Sequence, residues 1–418
     1  MKLTIEKAVY GGDGLARGAD GLAVFVPFAL PGEVVSATLA EERVSPARAR
    51  LDEVIEASPE RVEARCRHFG RCGGCQYQNA NYGAQIAMKT DILTETLERA
   101  GLRDRPRITV HAGEPWGYRN RIRLRVEVVG GQIRIGYNLR ETRDFLPIQK
   151  CPIAAPVLWR AASMLQQLSV NNSICEQWMR AAAEVELFTN EDERSLLMTL
   201  HLRRERSAGF PEFCEMVKRA VPELVGAGVE GGVSWGKAGL LYVVEGRGYW
   251  VSRGGFFQVN RRLVGELVRV VIAGRKGLIA WDLFAGGGLF ARALAEGFER
   301  VLAVEANPSA MSDLETAKVK NVRGLPVSVV DFLRGAVIGR ERPELVVMDP
   351  PRAGAGVEVC RLLARMQVPQ IVYVSCDPTT LARDLRVMVD SGYNLAELHL
   401  VDLFPQTFHL EAVAILQR

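Results

Sequence analysis

The stretch Asp282-Leu283-Phe284-Ala285-Gly286-Gly287-Gly288 follows an apolar strand pattern and precedes a helical pattern at 290–295. Glycine lets the backbone turn tightly and approach a ligand without an obstructing Cβ atom. The loop lacks the G-x-G-x-x-G spacing of dinucleotide sites and the Lys-Ser/Thr pair of a P-loop. A nucleoside cofactor without phosphates fits better, and S-adenosylmethionine is the common one.

Alternating strand and helix patterns continue from about residue 258 to the end of the sequence, which predicts a doubly wound α/β domain. Ligand sites in such sheets open at the carboxyl ends of the strands. Glu305 ends the strand after Gly286 and could accept hydrogen bonds from ribose hydroxyls, while Asp331 could meet the adenine amine. The predicted strands cover residues 278–284, 301–305, 327–331, 345–349, 371–375, 398–404 and 412–416.

Two further strand ends carry candidate catalytic residues. Asp349 begins the run Asp-Pro-Pro-Arg, whose prolines form a rigid loop without N–H donors against which a planar base could lie. Arg352 stands where amine methyltransferases carry a stacking aromatic, which argues against amine methylation. Cys376 ends the next strand and is placed to act as a thiolate nucleophile. We expect Cys175, Cys214 and Cys360 to be buried structural thiols.

These residue types fit methylation of uracil at C5. Addition of a thiolate to C6 converts the ring to an enolate, whose C5 can attack the methyl sulfonium of the cofactor. The C5 proton must then leave before the thiolate is expelled. We assign that step to Glu411, with His409 as the alternative base. Gln258 brings a side-chain amide that can polarise a carbonyl or hold the cofactor.

Composition places limits on the class of protein. The chain has 418 residues, 48% hydrophobic and 24% charged, which predicts two or three folded domains and excludes dominant disorder. No apolar run approaches eighteen residues and the N-terminus lacks a signal-peptide pattern, so we expect a cytoplasmic protein. The net charge of +4 is uneven, because residues 66–160 carry 16 basic and 8 acidic groups. Such a surplus predicts a surface that binds a polyanion.

Short strand patterns separated by glycine and proline occupy residues 1–60. They predict a small five-stranded barrel of the OB type, which either holds single-stranded nucleic acid or serves only as a packing module. The amphipathic helix predicted near 82–101 could pack on the catalytic domain.

A basic strand is predicted at 119–128, with arginines on one face and apolar residues on the other. Like charges on one face repel unless something neutralises them. Phosphate is the favoured partner and flanking acids are the alternative. The arginines are Arg119, Arg121, Arg123 and Arg125.

Three cysteines fall within ten residues, in the pattern Cys66-x5-Cys72-x2-Cys75, and Cys151-Pro152 is a plausible fourth ligand. In a reducing compartment this indicates metal ligands rather than disulfides. Zinc and a 4Fe-4S cluster fit the ligand count equally, although the spacing favours iron and sulfur. A fourth cysteine ligand would leave no iron open to bind a cofactor, so we expect the cluster to have a structural or RNA-ordering role.

The sequence resembles the RNA 5-methyluridine methyltransferase family, whose bacterial members modify ribosomal RNA or the T-loop of transfer RNA. The resemblance covers essentially the whole chain and includes F-x-Q at 256–258, DLFAG at 282–286, DPPRAG at 349–354, SCDPTTLARD at 375–384 and FPQTFHLEAV at 404–413. It implies a TRAM-type barrel at 1–60, a central α+β cluster-binding domain at 61–250 and a Rossmann-like class I methyltransferase domain at 251–418. For the site, it implies Cys376 as nucleophile, Glu411 as base, and cofactor or active-site contacts from Gln258, Phe284, Glu305, Asp331 and Asp349, beside the turn at Gly286.

Two positions depart from the family pattern. Leu289 stands where an asparagine often contacts the cofactor, and Asp377 replaces the asparagine that usually follows the nucleophile. We expect a monomer acting on large-subunit ribosomal RNA, with the transfer RNA T-loop as the alternative. Cytosine-C5 methylation fits less well, because Ser375 replaces the usual Pro or Thr. A non-catalytic RNA-binding or assembly factor is the alternative of another class, which the intact Cys376 and Glu411 oppose.

Overall fold

The computed structural model describes residues 1–39, 47–339 and 341–418. The N-terminal strands form a closed barrel: β1 (Lys2–Ala8), β2 (Asp13–Arg17), β3 (Ala23–Pro27), β4 (Val34–Leu39) and β5 (Ala47–Glu56). They neighbour one another in the order β1-β2-β3-β5-β4, and alternate residues such as Ile5 and Val26 fill the interior. This confirms the predicted five-stranded OB-like barrel.

A seven-stranded sheet forms the centre of the molecule. Helix α1 (Tyr82–Arg99) and strand β6 (Ile108–His111) precede it in the chain. Its strands are β7 (Arg121–Val129), β8 (Gln132–Asn138), β9 (Phe145–Pro147), β10 (Ala182–Thr189), β11 (Leu196–Leu202), β12 (Leu224–Val229) and β13 (Ser234–Gly236), and its helices are α2 (Pro156–Asn171), α3 (Ser173–Ala181) and α4 (Phe210–Ala220). The strand order is β13-β12-β11-β10-β7-β8-β9. Apolar residues of β7, such as Leu124, pack with the three helices in one core.

The C-terminal half is an eight-stranded sheet with helices on both faces. A hairpin of β14 (Gly239–Val244) and β15 (Arg247–Ser252) precedes it. The strands that follow are β16 (Gly277–Leu283), β17 (Phe298–Val304), β18 (Val322–Leu325), β19 (Leu345–Met348), β20 (Gln370–Ser375), β21 (Asn394–Val401) and β22 (Ala412–Gln417). The helices are α5 (Val264–Ile272), α6 (Leu289–Leu294), α7 (Pro308–Thr316), α8 (Val329–Ile338), α9 (Val357–Met366) and α10 (Pro378–Asp390). The order β18-β17-β16-β19-β20-β22-β21-β6, with parallel pairing from β18 to β20, is the predicted Rossmann-like sheet.

Earlier segments of the chain complete this catalytic core. Strand β6 pairs with β21, and α1 packs on α10 through a core that includes Leu93 and Leu385. In the hairpin, the ring of Tyr242 lies 4.5 Å from that of Phe257. The domain boundary predicted at residue 250 therefore stays a prediction. In the structure, α1, β6 and the hairpin begin before that residue in the chain but pack against the C-terminal sheet. Within the described ranges, no helix is long and apolar enough to span a bilayer.

Two strand assignments are wrong. The strand predicted at 327–331 is instead the start of α8, because the Ser328 hydroxyl caps the helix by accepting the backbone N–H of Asp331 at 3.1 Å. Asp331 thus lies in the exposed first turn of a helix. The predicted basic strand begins at Arg121, and the backbone of Arg119 instead forms isolated bridges with Ala154 and Asn260.

Candidate active site

The glycine-rich turn after β16 and the acidic end of β17 are in direct contact. Gly286 has a φ of 53°, in the left-handed region that favours glycine, and a Cβ there would meet nothing within 4 Å. Phe284 adopts a φ of 62°, a strained conformation for a bulky side chain. Glu305 accepts the backbone N–H of Gly286 at 2.9 Å and that of Asn307 at 2.6 Å. The loop and the carboxylate thus lie together at the carboxyl ends of β16 and β17, and this edge of the sheet, with Asp349, Cys376 and Glu411, is here called the cleft.

Asp282 lies directly beneath this turn and is completely buried. It accepts the backbone N–H of Ala291 at 2.7 Å, while its second oxygen has no partner among the described residues. Burial, followed by the charges of Asp349 and Glu305, raises the pKa of Asp282 to about 8. Asp282 thus ties β16 to α6 and holds a proton in the native protein up to neutral pH.

Asp349 and Glu411 form an acidic pair in the cleft. The Gln258 amide donates a hydrogen bond to Asp349 at 3.2 Å. Burial raises the pKa of both carboxyl groups, and the charge of Asp349 raises the pKa of Glu411 further. Within the described part of the chain, no lysine or arginine forms a salt bridge with either residue. Carboxyl groups of raised pKa in such an environment are candidates for taking up and releasing protons during a reaction.

Cys376 follows β20 and faces the same cleft. Burial raises the pKa of its thiol to about 11, with the charges of Glu411 and Asp349 as further causes and that of Arg352 opposing them. The thiol is therefore protonated in the resting protein, beside groups that could accept its proton. The carboxyl ends of the parallel strands β19 and β20 place Asp349 and Cys376 side by side. Glu411, directly before the antiparallel strand β22, and Gln258, between β15 and α5, complete this group of sequence-predicted residues.

Asp377 resolves one of the two departures from the family pattern. Its side chain caps α10 by accepting the backbone N–H groups of Thr379 at 2.9 Å and Thr380 at 3.0 Å. Asparagine and aspartate serve this position equally well. The substitution preserves the turn, whereas Leu289, at the first position of α6, places an apolar side chain where the family often has an amide.

His409 is a poor alternative to Glu411. Burial and the nearby Arg352, whose Nη2 lies 3.4 Å from the imidazole Nδ1, lower the pKa of His409 to about 4. An imidazole with so low a pKa is a weak base at neutral pH. Among the two candidates for the base, the buried carboxylate of Glu411 therefore has the more suitable basicity.

Two residues near the site were not predicted from sequence. The Tyr10 hydroxyl, in the turn between β1 and β2, donates to the backbone carbonyl of Cys376 at 3.3 Å, and its ring lies edge-on to Phe408 at 5.3 Å. Phe256, two residues before Gln258, has 72% of its surface exposed. The F-x-Q motif indicates a role for Gln258. The exposure of Phe256 and the contact of Tyr10 from the barrel depend on tertiary packing, which the motif does not predict.

The arginines of β7 are neutralised by acids of the protein itself. Arg121 pairs with Glu186 on β10 at 2.6 Å, Arg123 pairs with Glu184, and Arg125 pairs at 2.6 Å with a residue of its own strand, Glu127. The repulsion that predicted phosphate contacts for these arginines is absent, so the alternative of flanking acids accounts for them.

The four predicted ligand cysteines line one cavity of about 270 Å³: Cys66, Cys72, Cys75 and Cys151. Arg119 and Lys150 line it too, so Arg119 faces the thiols and not the surface of a strand. Across residues 1–39, 47–339 and 341–418, no group of three or more His, Cys, Asp or Glu residues could hold a single metal ion. Four cysteine thiols around one cavity are a donor set that suits either zinc or an iron–sulfur cluster. Cys175, Cys214 and Cys360 are buried, as predicted.

Comparison with known proteins identifies the family. Residues 249–418 match the family model described as tRNA (Uracil-5-)-methyltransferase. The chain is 34% identical to the 23S rRNA (uracil(1939)-C(5))-methyltransferase RlmD of Pseudomonas putida, over 100% of this chain and 93% of that protein. It is 33% identical to an uncharacterized RNA methyltransferase of Aquifex aeolicus, over 100% of this chain and 98% of that protein.

A solved structure shares the fold over the full length of both chains. It is the crystal structure of Pyrococcus abyssi tRNA (uracil-54, C5)-methyltransferase in complex with S-adenosyl-L-homocysteine, with a TM-score of 0.77 and 23% identity. The full-length relatives above 30% identity agree with the match over the C-terminal domain. The protein therefore belongs to the family of S-adenosylmethionine-dependent RNA (uracil-C5)-methyltransferases.

Proposed function

We propose that the protein methylates C5 of a uridine in 23S ribosomal RNA, with Cys376 as covalent nucleophile and Glu411 as base. The observation that carries this proposal is the meeting of one thiol and two acidic groups of raised pKa in a cleft beside the Gly286 turn. The 34% identical relative from Pseudomonas putida, named for 23S rRNA, supports the choice of RNA.

The cleft offers polar groups for each part of S-adenosylmethionine, which supplies a methyl group on a positively charged sulfonium when it is bound. Glu305 has oxygen lone pairs beyond those used by backbone N–H groups, which suit the two ribose hydroxyls. We assign the adenine to the side of Asp331, on the first turn of α8, and the methionine part to the open turn at Gly286 beneath Phe284. Gln258 and Asp349 then line the side of the cleft nearest the reacting groups.

In the first step, the sulfur of Cys376 bonds to C6 of the uracil, and the C5=C6 electrons move into the ring as an enolate. We assign the thiol proton to Asp349, whose raised pKa makes it a better acceptor than an ordinary carboxylate. Arg352 opposes the rise in the thiol pKa and so favours the thiolate. Bound S-adenosylmethionine would supply the methyl group to the enolate C5, with its S–CH3 bond broken and S-adenosylhomocysteine as the neutral leaving group.

In the last step, the Glu411 carboxylate removes the C5 proton. The electron pair of that C–H bond re-forms the C5=C6 double bond, the C6–S bond breaks, and the thiolate of Cys376 leaves. Exposed Phe256 gives the uracil a flat surface on which to stack once the base is outside its helix. We place the RNA strand between this residue and the barrel, whose Tyr10 contacts the nucleophile turn.

We further propose that Cys66, Cys72, Cys75 and Cys151 hold a 4Fe-4S cluster of structural or RNA-ordering function. The cavity volume of about 270 Å³, the four thiols that line it and the positive side chains of Arg119 and Lys150 suit a negatively charged cluster larger than one ion. Four irons and four sulfides per purified chain would support this assignment. A single zinc ion would refute it.

The substrate is tested by incubating the protein with methyl-labelled cofactor and equal amounts of 23S ribosomal RNA and transfer RNA transcripts. The proposal expects label in 5-methyluridine of the ribosomal RNA. Label confined to a T-loop uridine would replace ribosomal RNA by transfer RNA as the substrate. Absence of label in either, from protein that binds the cofactor, would favour a non-catalytic RNA-binding factor.

A further inference from the structure

Residues 402–410, here called the base loop, join β21 to β22 and lead directly into Glu411. Five consecutive residues of this loop are bonded to side chains that come from outside the β16–β22 region of the chain. The bonds are those from Lys89 to Asp402 at 2.6 Å and to the Phe404 carbonyl at 2.9 Å, from Asn260 to the Leu403 carbonyl at 3.0 Å, from Tyr118 to the Pro405 carbonyl at 3.0 Å, and from Gln85 to Gln406 at 3.1 Å. The base loop is thus held in place by the central part of the molecule.

Gln406 is the most constrained residue of the base loop. Its backbone adopts a φ of 70°, a left-handed conformation that non-glycine residues rarely occupy, and only 2% of its surface is exposed. Its backbone N–H donates to the Gln85 side-chain oxygen at 2.8 Å, and the Gln85 amide donates to its side-chain oxygen at 3.1 Å. Its carbonyl accepts the backbone N–H groups of Gln76 and Tyr77, both at 3.0 Å. A strained conformation persists only where its surroundings enforce it.

The partners of Gln406 link the base loop to the cysteine cavity. Gln76 and Tyr77 directly follow Cys75, one of the cavity cysteines. Gln85, on α1, is 1% exposed and also donates to the Ala80 carbonyl at 2.9 Å. A buried amide whose hydrogen bonds are all made fixes its neighbours closely, because an unpaired group would be costly.

We propose that Gln85 and Gln406 are positioning residues that set the place of the Glu411 carboxylate for removal of the C5 proton. The inference rests on the proposed function, since it assigns the role of the pair to one step of that reaction. Proton removal depends strongly on the distance and direction between base and substrate, and an error of about 1 Å can cost on the order of 100-fold in rate. Cys376 lies on the turn between β20 and α10 and not on the base loop, and neither Gln85 nor Gln406 is hydrogen-bonded to it. We therefore expect loss of the pair to slow proton removal more than addition of the thiolate.

The test replaces Gln85 with leucine, which keeps the volume and removes both bonds to Gln406. With RNA containing ordinary uridine, the covalent methylated complex should form at the native rate and decay at least tenfold more slowly. It should therefore accumulate as a protein–RNA band that survives SDS, with the KM for RNA unchanged. The matched control is Gln166→Leu, because Gln166 is a partly buried glutamine of the central domain that bonds the Ile135 N–H at 3.3 Å. That control should turn over like the native protein.

A second variant keeps the test decisive if Gln85→Leu fails to fold. Gln406→Asn retains a residue that tolerates the left-handed backbone but has a side chain too short to reach Gln85. It should show the same accumulation to a smaller extent, with decay slowed about threefold. Decay of the complex at the native rate in a folded Gln85→Leu protein, or in Gln406→Asn when the first variant does not fold, would overturn the positioning role.

The two proposals fail in different ways. If the native protein forms no covalent complex with RNA that carries 5-fluorouridine, the nucleophile assignment is wrong and so is the inference built on it. If the native protein forms that complex while both glutamine variants release methylated RNA normally, only the positioning role is wrong.

Discussion

Strand β7 and the catalytic cleft both concentrate charges of one sign, but only β7 compensates them. Each of Arg121, Arg123 and Arg125 has a glutamate within salt-bridge distance, and two of these glutamates lie on the neighbouring strand β10. In the cleft, Asp349 has the amide of Gln258 as its hydrogen-bond partner, and the charge of Asp349 acts directly on Glu411. Charges that the fold neutralises serve structure, whereas buried charges left without counter-ions have raised pKa values that suit catalysis.

The largest effect is expected when one carboxyl group of the Asp349–Glu411 pair is removed. Glu411→Gln should reduce release of methylated RNA by about 10³-fold, because loss of a general base typically costs 10²- to 10⁴-fold. The protein should remain attached to its RNA, since addition and methyl transfer do not need Glu411. The measurement is single-turnover release of labelled RNA, with Glu397→Gln on β21 as the control that should behave like the native protein. Unchanged release by the Glu411 variant would contradict its role.

The pH dependence of kcat/KM should also distinguish the cleft from ordinary surface groups. The thiol of Cys376 has a pKa raised to about 11, and the carboxyl groups of Asp349 and Glu411 have raised pKa values as well. In the proposed reaction the thiol gives its proton to Asp349, so the carboxyl groups of Asp349 and Glu411 must both be ionised beforehand. Activity should therefore rise from pH 6 to pH 9 as these groups lose their protons, by up to roughly tenfold per unit for each group. A bell-shaped profile with a maximum below pH 7 would argue against this set of groups.

Asp282 allows a thermodynamic test of the same contrast. Its native pKa of about 8 lies above the ordinary value of 3.8, so between these values the native state binds more protons than the unfolded state. The stabilisation of the native state by protonated Asp282 is therefore present at low pH. It is lost as the pH rises, and the free energy of unfolding falls by up to about 1.4 kcal/mol per pH unit. Asp282→Asn should remove this slope from the unfolding free energy measured in urea, and the exposed Asp20→Asn should not. An unchanged slope would contradict a protonated Asp282.

The smallest effect is expected at β7. Replacing Arg123 and Glu184 together by glutamine removes one partly exposed pair and should change the free energy of unfolding by less than about 1 kcal/mol. RNA affinity and its dependence on salt should stay within twofold of the native values, because Arg123 is not assigned a phosphate. A tenfold loss of RNA affinity, together with a decrease of about one in the slope of log affinity against log salt concentration, would instead indicate that Arg123 contacts a phosphate.

Four of the residues predicted from sequence lie at one edge of the sheet because of a rule of parallel sheets. Gly286, Glu305, Asp349 and Cys376 each end a strand, so their meeting at one edge follows from the strand pattern alone. Asp331 was misplaced because the Ser328 cap outweighed the apolar run before it, although Ser-x-x-Asp is a recognisable helix start.

Contacts between distant segments could not be predicted in this way. The pairing of β7 with β10 supplies the glutamates that neutralise Arg121 and Arg123, and no local pattern identifies which strand will lie beside another. The same holds for the contact of Tyr10 with the nucleophile turn and for the pair Gln85–Gln406, which joins residues 321 positions apart.

In the proposed reaction, Cys376 is a covalent nucleophile whose proton passes to a buried carboxylate without a salt-bridge partner. This role is tested most directly by incubating the protein and cofactor with ribosomal RNA in which uridine is replaced by 5-fluorouridine. Fluorine at C5 cannot leave as a proton does, so elimination is blocked and the C6–S bond persists. We predict one SDS-stable RNA–protein complex per native chain and none for Cys376→Ala. Failure of the native protein to form the complex, or an undiminished yield from the variant, would contradict the account.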